Sequence, residues 1–215
     1  MPTAQARDTV AHDGACWRCA APLGSPPFCP TCDAPQALAP DTDHFAVLGL
    51  PRALVVDRTD LERRYHDVAR RVHPDRHQTA SAEEQSLSMT ASAAVNRAYR
   101  TLRDPVARGR YWLELHGDPI GADNNRIPME LAELVFEVQE RLAELRATGQ
   151  GADEVRAARA EVAARLDGML VDLELRYGTW TDATTPAVIA ALKRLLSDIA
   201  YLRTLVRDVD AVLAG

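Results

Sequence analysis

Apolar residues recur along this chain at helical spacing in two long blocks separated by a polar break. Leu61, Tyr65, Val68 and Val72 stand 4, 3 and 4 positions apart, which stacks them on one helix face. A second run, Leu87, Ala91, Ala94 or Val95, Ala98 and Leu102, keeps the same spacing and predicts a facing helix. Asp57 or Thr59 can cap the start of the first of these helices. Between the two lies His73-Pro74-Asp75-Arg76-His77, and Pro74 biases His73 away from helical dihedrals. That stretch is predicted to be a loop at the tip of a helical hairpin. Asp104-Pro105 ends the second helix, and Val106 to Leu115 predicts a shorter third one.

The segment His116–Pro128, rich in Gly, Asp, Asn and Pro, interrupts the pattern. Beyond it the spacing predicts helices over roughly 129–147, 152–177 and 184–213. Leu131, Leu134 or Val135, Val138, Leu142 and Leu145 form the first stripe. Val155, Val162, Leu166, Met169 or Leu170 and Leu173 form the second. Val188, Leu192, Leu195 or Leu196, Ile199, Leu202, Val206 and Val209 form the third. Three amphipathic helices with short connections predict an antiparallel bundle. Aromatic residues make up only 5% of the chain, so the cores should be built from Leu, Val and Ala.

All four cysteines fall within residues 16–32, as Cys16-x-x-Cys19 and Cys29-x-x-Cys32. Two such turns supply four thiolates that can surround one tetrahedral metal, and structural zinc is the expected occupant. A segment this short cannot bury a core, so metal binding would provide its folding energy. An iron site of the rubredoxin type uses the same ligands. Disulfides are disfavoured in a reducing compartment. A thioredoxin-like pair at Cys29-Pro30-Thr31-Cys32 lacks the strand-helix setting it needs. A flexible lead-in over residues 1–15 and a linker from Pro35 to Pro40 flank the segment.

Charge is unevenly placed. Residues 43–117 hold 12 arginines against 10 acids, whereas residues 127–215 hold 10 basic residues against 15 acids. The net charge of -6 argues against nucleic acid as a partner, and the cysteine segment carries a single basic residue, Arg18. No apolar run approaches the roughly 20 residues needed to span a bilayer, so no membrane association is expected. The first fifteen residues contain Asp8, Asp13 and no apolar core, so neither a signal nor a transit peptide is expected. Cytoplasm is the expected compartment.

The tripeptide His73-Pro74-Asp75 follows an amphipathic helix and precedes another that contains Asn96-Arg97-Ala98-Tyr99-Arg100-Thr101-Leu102-Arg103-Asp104. With Tyr65, Arg108 and Tyr111, this series resembles the J-domain family. The resemblance implies that Arg63, Arg64, Arg70 and Arg71, read as a solvent-exposed face, dock with Arg76 on an acidic surface of a DnaK/HscA-type chaperone. His73, Pro74 and Asp75 would then bias the coupling of its ATPase domain to its substrate-binding half. Electrostatic docking of this kind favours fast, salt-sensitive and weak association. A metalloenzyme built on His73, Asp75 and His77 is the rival reading. Pro74 and the helical flanks make the required strand unlikely, and no further cluster completes a pocket. The chain is therefore not expected to be an enzyme.

Beyond the J-domain, the chain resembles the HscB family of iron–sulfur co-chaperones. The run Asp43-His44-Phe45-Ala46-Val47-Leu48-Gly49-Leu50-Pro51 fits that family's opening, and some members carry an N-terminal tetracysteine zinc segment. The resemblance implies three parts: residues 1–40 as the zinc-binding segment with its lead-in, 41–117 as the J-domain, and 118–215 as the client-binding three-helix domain. The client would be the cluster scaffold IscU, held by Met129, Leu131, Glu133, Phe136, Glu137 and Glu140. Of these, Phe136 and Met129 fall off the main apolar stripe, whereas Leu131 lies on it. Glu130-Leu131-Ala132-Glu133-Leu134 stands where the family often has Leu-Met-Glu-Gln. The alternative is a general DnaK co-chaperone with a different client.

Overall fold

The computed structural model describes residues 14–24, 27–121, 129–180 and 183–214. The lead-in before Gly14 and the end of the polar break before Met129 lie outside the described residues. Among the described residues the chain is all-helical, with only two isolated bridges in the cysteine segment. None of these helices is long and apolar enough to cross a membrane. The chain divides into two compact units, residues 1–104 and 105–215.

The first unit contains α1 (His44–Val47), α2 (Arg58–Val72) and α3 (Ala82–Arg103). Asp43 caps α1 by accepting the Ala46 N–H at 2.8 Å, and Gly49, at φ 64°, turns the chain out of that helix. Asp57 caps α2, accepting the Asp60 N–H at 2.7 Å. Asp60 in its first turn and Arg70 and Arg71 in its last complement the helix dipole. The helix stops where Pro74 forces His73 into extended backbone at ψ 131°. Ser81 caps α3, which runs until Asp104 is held extended by Pro105. Leu61, Val68 and Val72 face Ala91, Val95, Ala98 and Leu102, and Phe45, Val47 and Leu48 of the α1 segment are buried with them.

The buried stripe of α3 differs from the expected one at its start. Leu87 is only half-buried, and Glu84 and Ser88 occupy the interior positions instead. Both are satisfied there: Ser88 donates to the Val72 carbonyl at 2.8 Å, and Glu84 pairs with His77 at 2.8 Å. Tyr65 is half-buried, donates its hydroxyl to Asn96 at 2.9 Å and stacks on Tyr99 at 4.1 Å. The cross-links 65–96 and 72–88 fix an antiparallel register for the hairpin.

The second unit contains α4 (Pro105–Leu115), α5 (Ala132–Thr148), α6 (Ala152–Thr179) and α7 (Pro186–Leu213). Gly149 and Gly151, at φ 70° and 88°, make the tight α5–α6 turn in the gap between the helices expected over 129–147 and 152–177. Thr185 caps α7 ahead of Pro186. The core joins Leu131, Val135, Val138 and Leu142 to Val155, Ala158 and Val162, and to Leu202, Leu205 and Val209. Leu205 takes the interior place on α7, and Val206 is only partly buried beside it.

A fourth helix joins this bundle. The packing of α4 is on α6 and α7, and Gly109 makes the close approach possible. A Cβ there would clash with the Tyr177 hydroxyl and crowd Leu196 at 3.2 Å and Leu192 at 3.3 Å. Tyr177 donates to the Pro105 carbonyl at 2.7 Å, and the Arg108 guanidinium lies 5.2 Å from its ring centre. Trp112 donates to the Ala183 carbonyl at 3.1 Å. Compact packing therefore divides the chain at Asp104, before the last helix of the J-domain pattern.

Candidate docking face, metal centre and client face

At the tip of the α2–α3 hairpin the His-Pro-Asp sequence forms a 3-10 turn, Pro74–His77, where a loop was expected. The residue types explain the geometry. His73 sits just before the turn, and its Nδ1 accepts the Asp75 N–H at 3.3 Å, acting as the turn's cap. Pro74 supplies the first turn position, where a missing N–H costs nothing. Asp75 is placed in the first turn, with Oδ2 3.6 Å from the His73 ring and Oδ1 accepting from Gln78 at 3.2 Å. Both His73 and Asp75 are exposed. The turn thus presents an imidazole and a carboxylate side by side on a locally rigid base.

That base is His77. Its Nδ1 faces Oε1 of Glu84 at 2.8 Å and its Nε2 faces the Arg71 carbonyl at 3.1 Å. His77 and Glu84 are both buried, so they tie the end of the turn to α2 and α3 from below. The spacing of His73, Asp75 and His77 suggests a metal ligand, and carries no local sign of this packing role for His77.

The arginines are less uniformly exposed than a solvated face would be. Arg63, Arg70 and Arg76 are exposed, whereas Arg64 and Arg71 are half-buried. Arg64 donates to Asp60 at 2.7 Å and to the Gly49 carbonyl, and Arg63 pairs with the same Asp60. The two guanidiniums hold the Asp60 carboxyl below its ordinary range. Arg71 donates to Asp33 of the cysteine segment at 2.9 Å and pairs with Asp67 at 3.3 Å.

The cysteine segment consists of two copies of one turn. The N–H of Cys16 donates to the Ala21 carbonyl and that of Cys29 to the Ala34 carbonyl, each at 2.8 Å. Ala20 and Asp33, each at φ 57°, follow the second cysteine of each pair and close the turns. Arg18 and Thr31 each direct a backbone N–H at the first sulfur of their turn at 3.4 Å. Gln36, buried, adds a side-chain N–H to Cys16 Sγ at 3.4 Å, and Trp17 donates to the Pro35 carbonyl at 2.7 Å.

All four sulfurs lie within 4.8 Å of one another, and the Cys16–Cys32 and Cys19–Cys29 pairs are both 3.7 Å apart. A tetrahedral metal with sulfur bonds of about 2.3 Å requires sulfurs about 3.8 Å apart, so the cluster fits a metal ion. Against burial, N–H groups from Cys32 and Thr31 bring the Cys29 thiol down to about 6. Burial pushes Cys32 up to about 12.

On α5, Glu133, Phe136, Glu137 and Glu140 share one exposed face at helical spacing. Phe136 is 67% exposed and Met129, just before the helix, is 93% exposed. Leu131 is a core residue at 3% exposure and is not available on this face. Glu137 pairs with Arg141, a turn further on.

Residues 43–111 match the DnaJ domain family, so the hairpin and its His-Pro-Asp turn define a J-domain protein. Over 145 residues the chain is 37% identical to the "Co-chaperone protein HscB homolog" of Bordetella pertussis, covering 66% of this chain and 85% of that one. It is 37% identical over 134 residues to the human "Iron-sulfur cluster co-chaperone protein HscB", covering 60% of this chain but only 57% of the human one. The crystal structure of human co-chaperone protein HscB superposes with a TM-score of 0.69 at 29% identity, over 92% of this chain and 97% of that one. HscB from Vibrio cholerae superposes with a TM-score of 0.55 at 29% identity, over 79% and 98% of the two chains. The chain belongs to the HscB family of co-chaperones.

Proposed function

We propose that this protein stimulates the ATPase of a DnaK/HscA-type chaperone and delivers the iron–sulfur scaffold IscU to it. The observation that carries the reading is the His-Pro-Asp turn, exposed at the hairpin tip and braced from beneath by the His77–Glu84 pair. Arg63, Arg64, Arg70, Arg71 and Arg76 supply positive charge along and beside α2, suited to an acidic partner surface. His73, Pro74 and Asp75 then make the contacts that bias the chaperone toward hydrolysis. No covalent chemistry is required of this chain. Its residues orient one protein against another.

Met129, Phe136, Glu133, Glu137 and Glu140 form the client face in this reading. Two exposed apolar side chains among acids offer a small hydrophobic contact with a charged rim, the anatomy of a transient interface. The six-residue set expected from the sequence becomes five, because Leu131 is spent on the bundle core.

Cys16, Cys19, Cys29 and Cys32 hold zinc, which neutralises the thiolate cluster and fixes the two turns. The N–H groups of Arg18, Thr31 and Gln36 aim at sulfur and stabilise its negative charge. A reducing compartment such as the cytoplasm keeps the thiols available. Single-turnover ATP hydrolysis by a DnaK-type chaperone, with this protein and with IscU added, tests the whole reading. Stimulation that rises synergistically with IscU is expected. Stimulation indifferent to IscU would remove the client, leaving a general co-chaperone.

A further inference from the structure

The metal segment and the docking face share an ion pair. Asp33 directly follows Cys32, and its N–H closes the second turn on the Cys29 carbonyl at 2.9 Å. This fixes its carboxylate in place: Oδ1 accepts from Arg71 Nη1 at 2.9 Å, and Oδ2 lies 4.0 Å from Arg76 Nη2. Phe28 of the same turn lies under the Arg71 guanidinium, 4.8 Å from its ring centre. The first turn makes a parallel contact, since Arg18 pairs with Glu84, the residue that holds His77. Arg63, Arg64 and Arg70 pair with acids of their own helix, Asp60 and Asp67, whereas Arg71 meets both Asp67 and Asp33.

We propose that the metal-loaded segment is a built-in competitor for the docking face: its turn holds Asp33 on Arg71, occupying a donor that an acidic partner surface would take, and sets its second oxygen near Arg76. The proposal rests on the co-chaperone reading and names a regulation of that same surface. An arginine presents a limited fork of donors, so a carboxylate seated on it must leave before another binds in the same way. The Asp33–Arg71 pair is half-exposed on both sides, which keeps it weak enough to be displaced. Placement of Asp33 depends on a left-handed residue inside a metal turn, and a segment with so small a core holds that turn only while the metal is bound. Loss of the metal therefore removes Asp33 from Arg71 and Arg76, leaving Arg71 only its pair with Asp67 on the same helix.

The test uses the full-length, zinc-loaded protein and Asp33→Asn. Asparagine tolerates positive φ and leaves all four ligands in place. Affinity for a DnaK-type chaperone in its ATP-bound form is measured at low and high salt, with zinc content determined for each protein and His73→Gln as control. Asp33→Asn is expected to keep its zinc and bind roughly two- to fivefold tighter at low salt, the range of a half-exposed ion pair. The gain should shrink at high salt. Cys16→Ser should lose zinc and show a similar gain, with no further gain when Asp33→Asn is added. Unchanged or weaker binding by zinc-loaded Asp33→Asn, beside a wild type whose binding is lost in His73→Gln, overturns this proposal alone. A wild type with no such His73-dependent binding overturns the co-chaperone reading, and this proposal with it.

Discussion

His77 and Glu84 form a buried pair, Nδ1 to Oε1 at 2.8 Å, directly beneath the turn that carries His73 and Asp75. The ring's other nitrogen meets the Arg71 carbonyl, so one side chain binds the end of α2, the turn and the start of α3 together. Removing one member of a buried, hydrogen-bonded pair leaves the other unsatisfied. Glu84→Ala should therefore destabilise the first unit by about 3 kcal/mol. Urea unfolding followed by circular dichroism checks this; a loss under about 1 kcal/mol would place the pair among ordinary surface contacts.

Gly109 offers a sharper packing test. A methyl group there would overlap the Tyr177 hydroxyl, and Leu192 and Leu196 crowd the same spot. Gly109→Ala should cost about 1–3 kcal/mol, the usual penalty for overpacking. Adding Tyr177→Phe removes the clashing oxygen. The double variant should thus be less destabilised than the two single effects predict, a coupling that thermal unfolding of all four proteins would reveal.

Zinc binding should release protons. Burial pushes the Cys32 thiol up to about 12, so at neutral pH it is protonated until a cation displaces the proton. Titrating apo-protein with zinc in a weakly buffered indicator solution should show acidification, and affinity should fall as pH is lowered. Zinc uptake without proton release would contradict the thiolate-ligand assignment.

Acid should loosen the first unit. Burial raises the Asp43 carboxyl, but the Ala46 N–H and Arg52 outweigh it and hold it below the ordinary 3.8. Asp60 is lowered by Arg64 and Arg63. A carboxyl depressed in the folded state contributes stability that is present above the unfolded value and lost as pH falls through the folded one. Stability should therefore decline below about pH 4. Asp43→Asn should flatten that decline, as measured by urea midpoints between neutral and strongly acidic pH.

Much of this architecture is legible in the sequence because helix faces repeat locally. Leu61, Val68 and Val72 need only their own spacing to be read, and Pro74 announces the end of α2. The cysteine turns are equally local. Glu84, Ser88 and His77 escaped because a buried polar residue is explained by its partner, and Glu84 finds one of its partners, Arg18, 66 residues away. A trace was present: the α3 stripe, extended backward from Ala91, falls on Ser88 and Glu84, and Ser81 with Glu84 has capping-box spacing. The polarity of those residues hid the continuation. Asp33 carries no local signal at all, since its contact with Arg71 arises where the second cysteine turn meets α2.

The proposed action of the hairpin-tip turn on a chaperone depends on the exposed imidazole of His73. Single-turnover ATP hydrolysis by a DnaK-type chaperone with wild type and His73→Gln checks it. The exchange alters the imidazole, leaves the His77–Glu84 brace untouched and should not change the circular dichroism spectrum. Wild type should accelerate hydrolysis and the folded variant should not; equal acceleration by both would contradict the account.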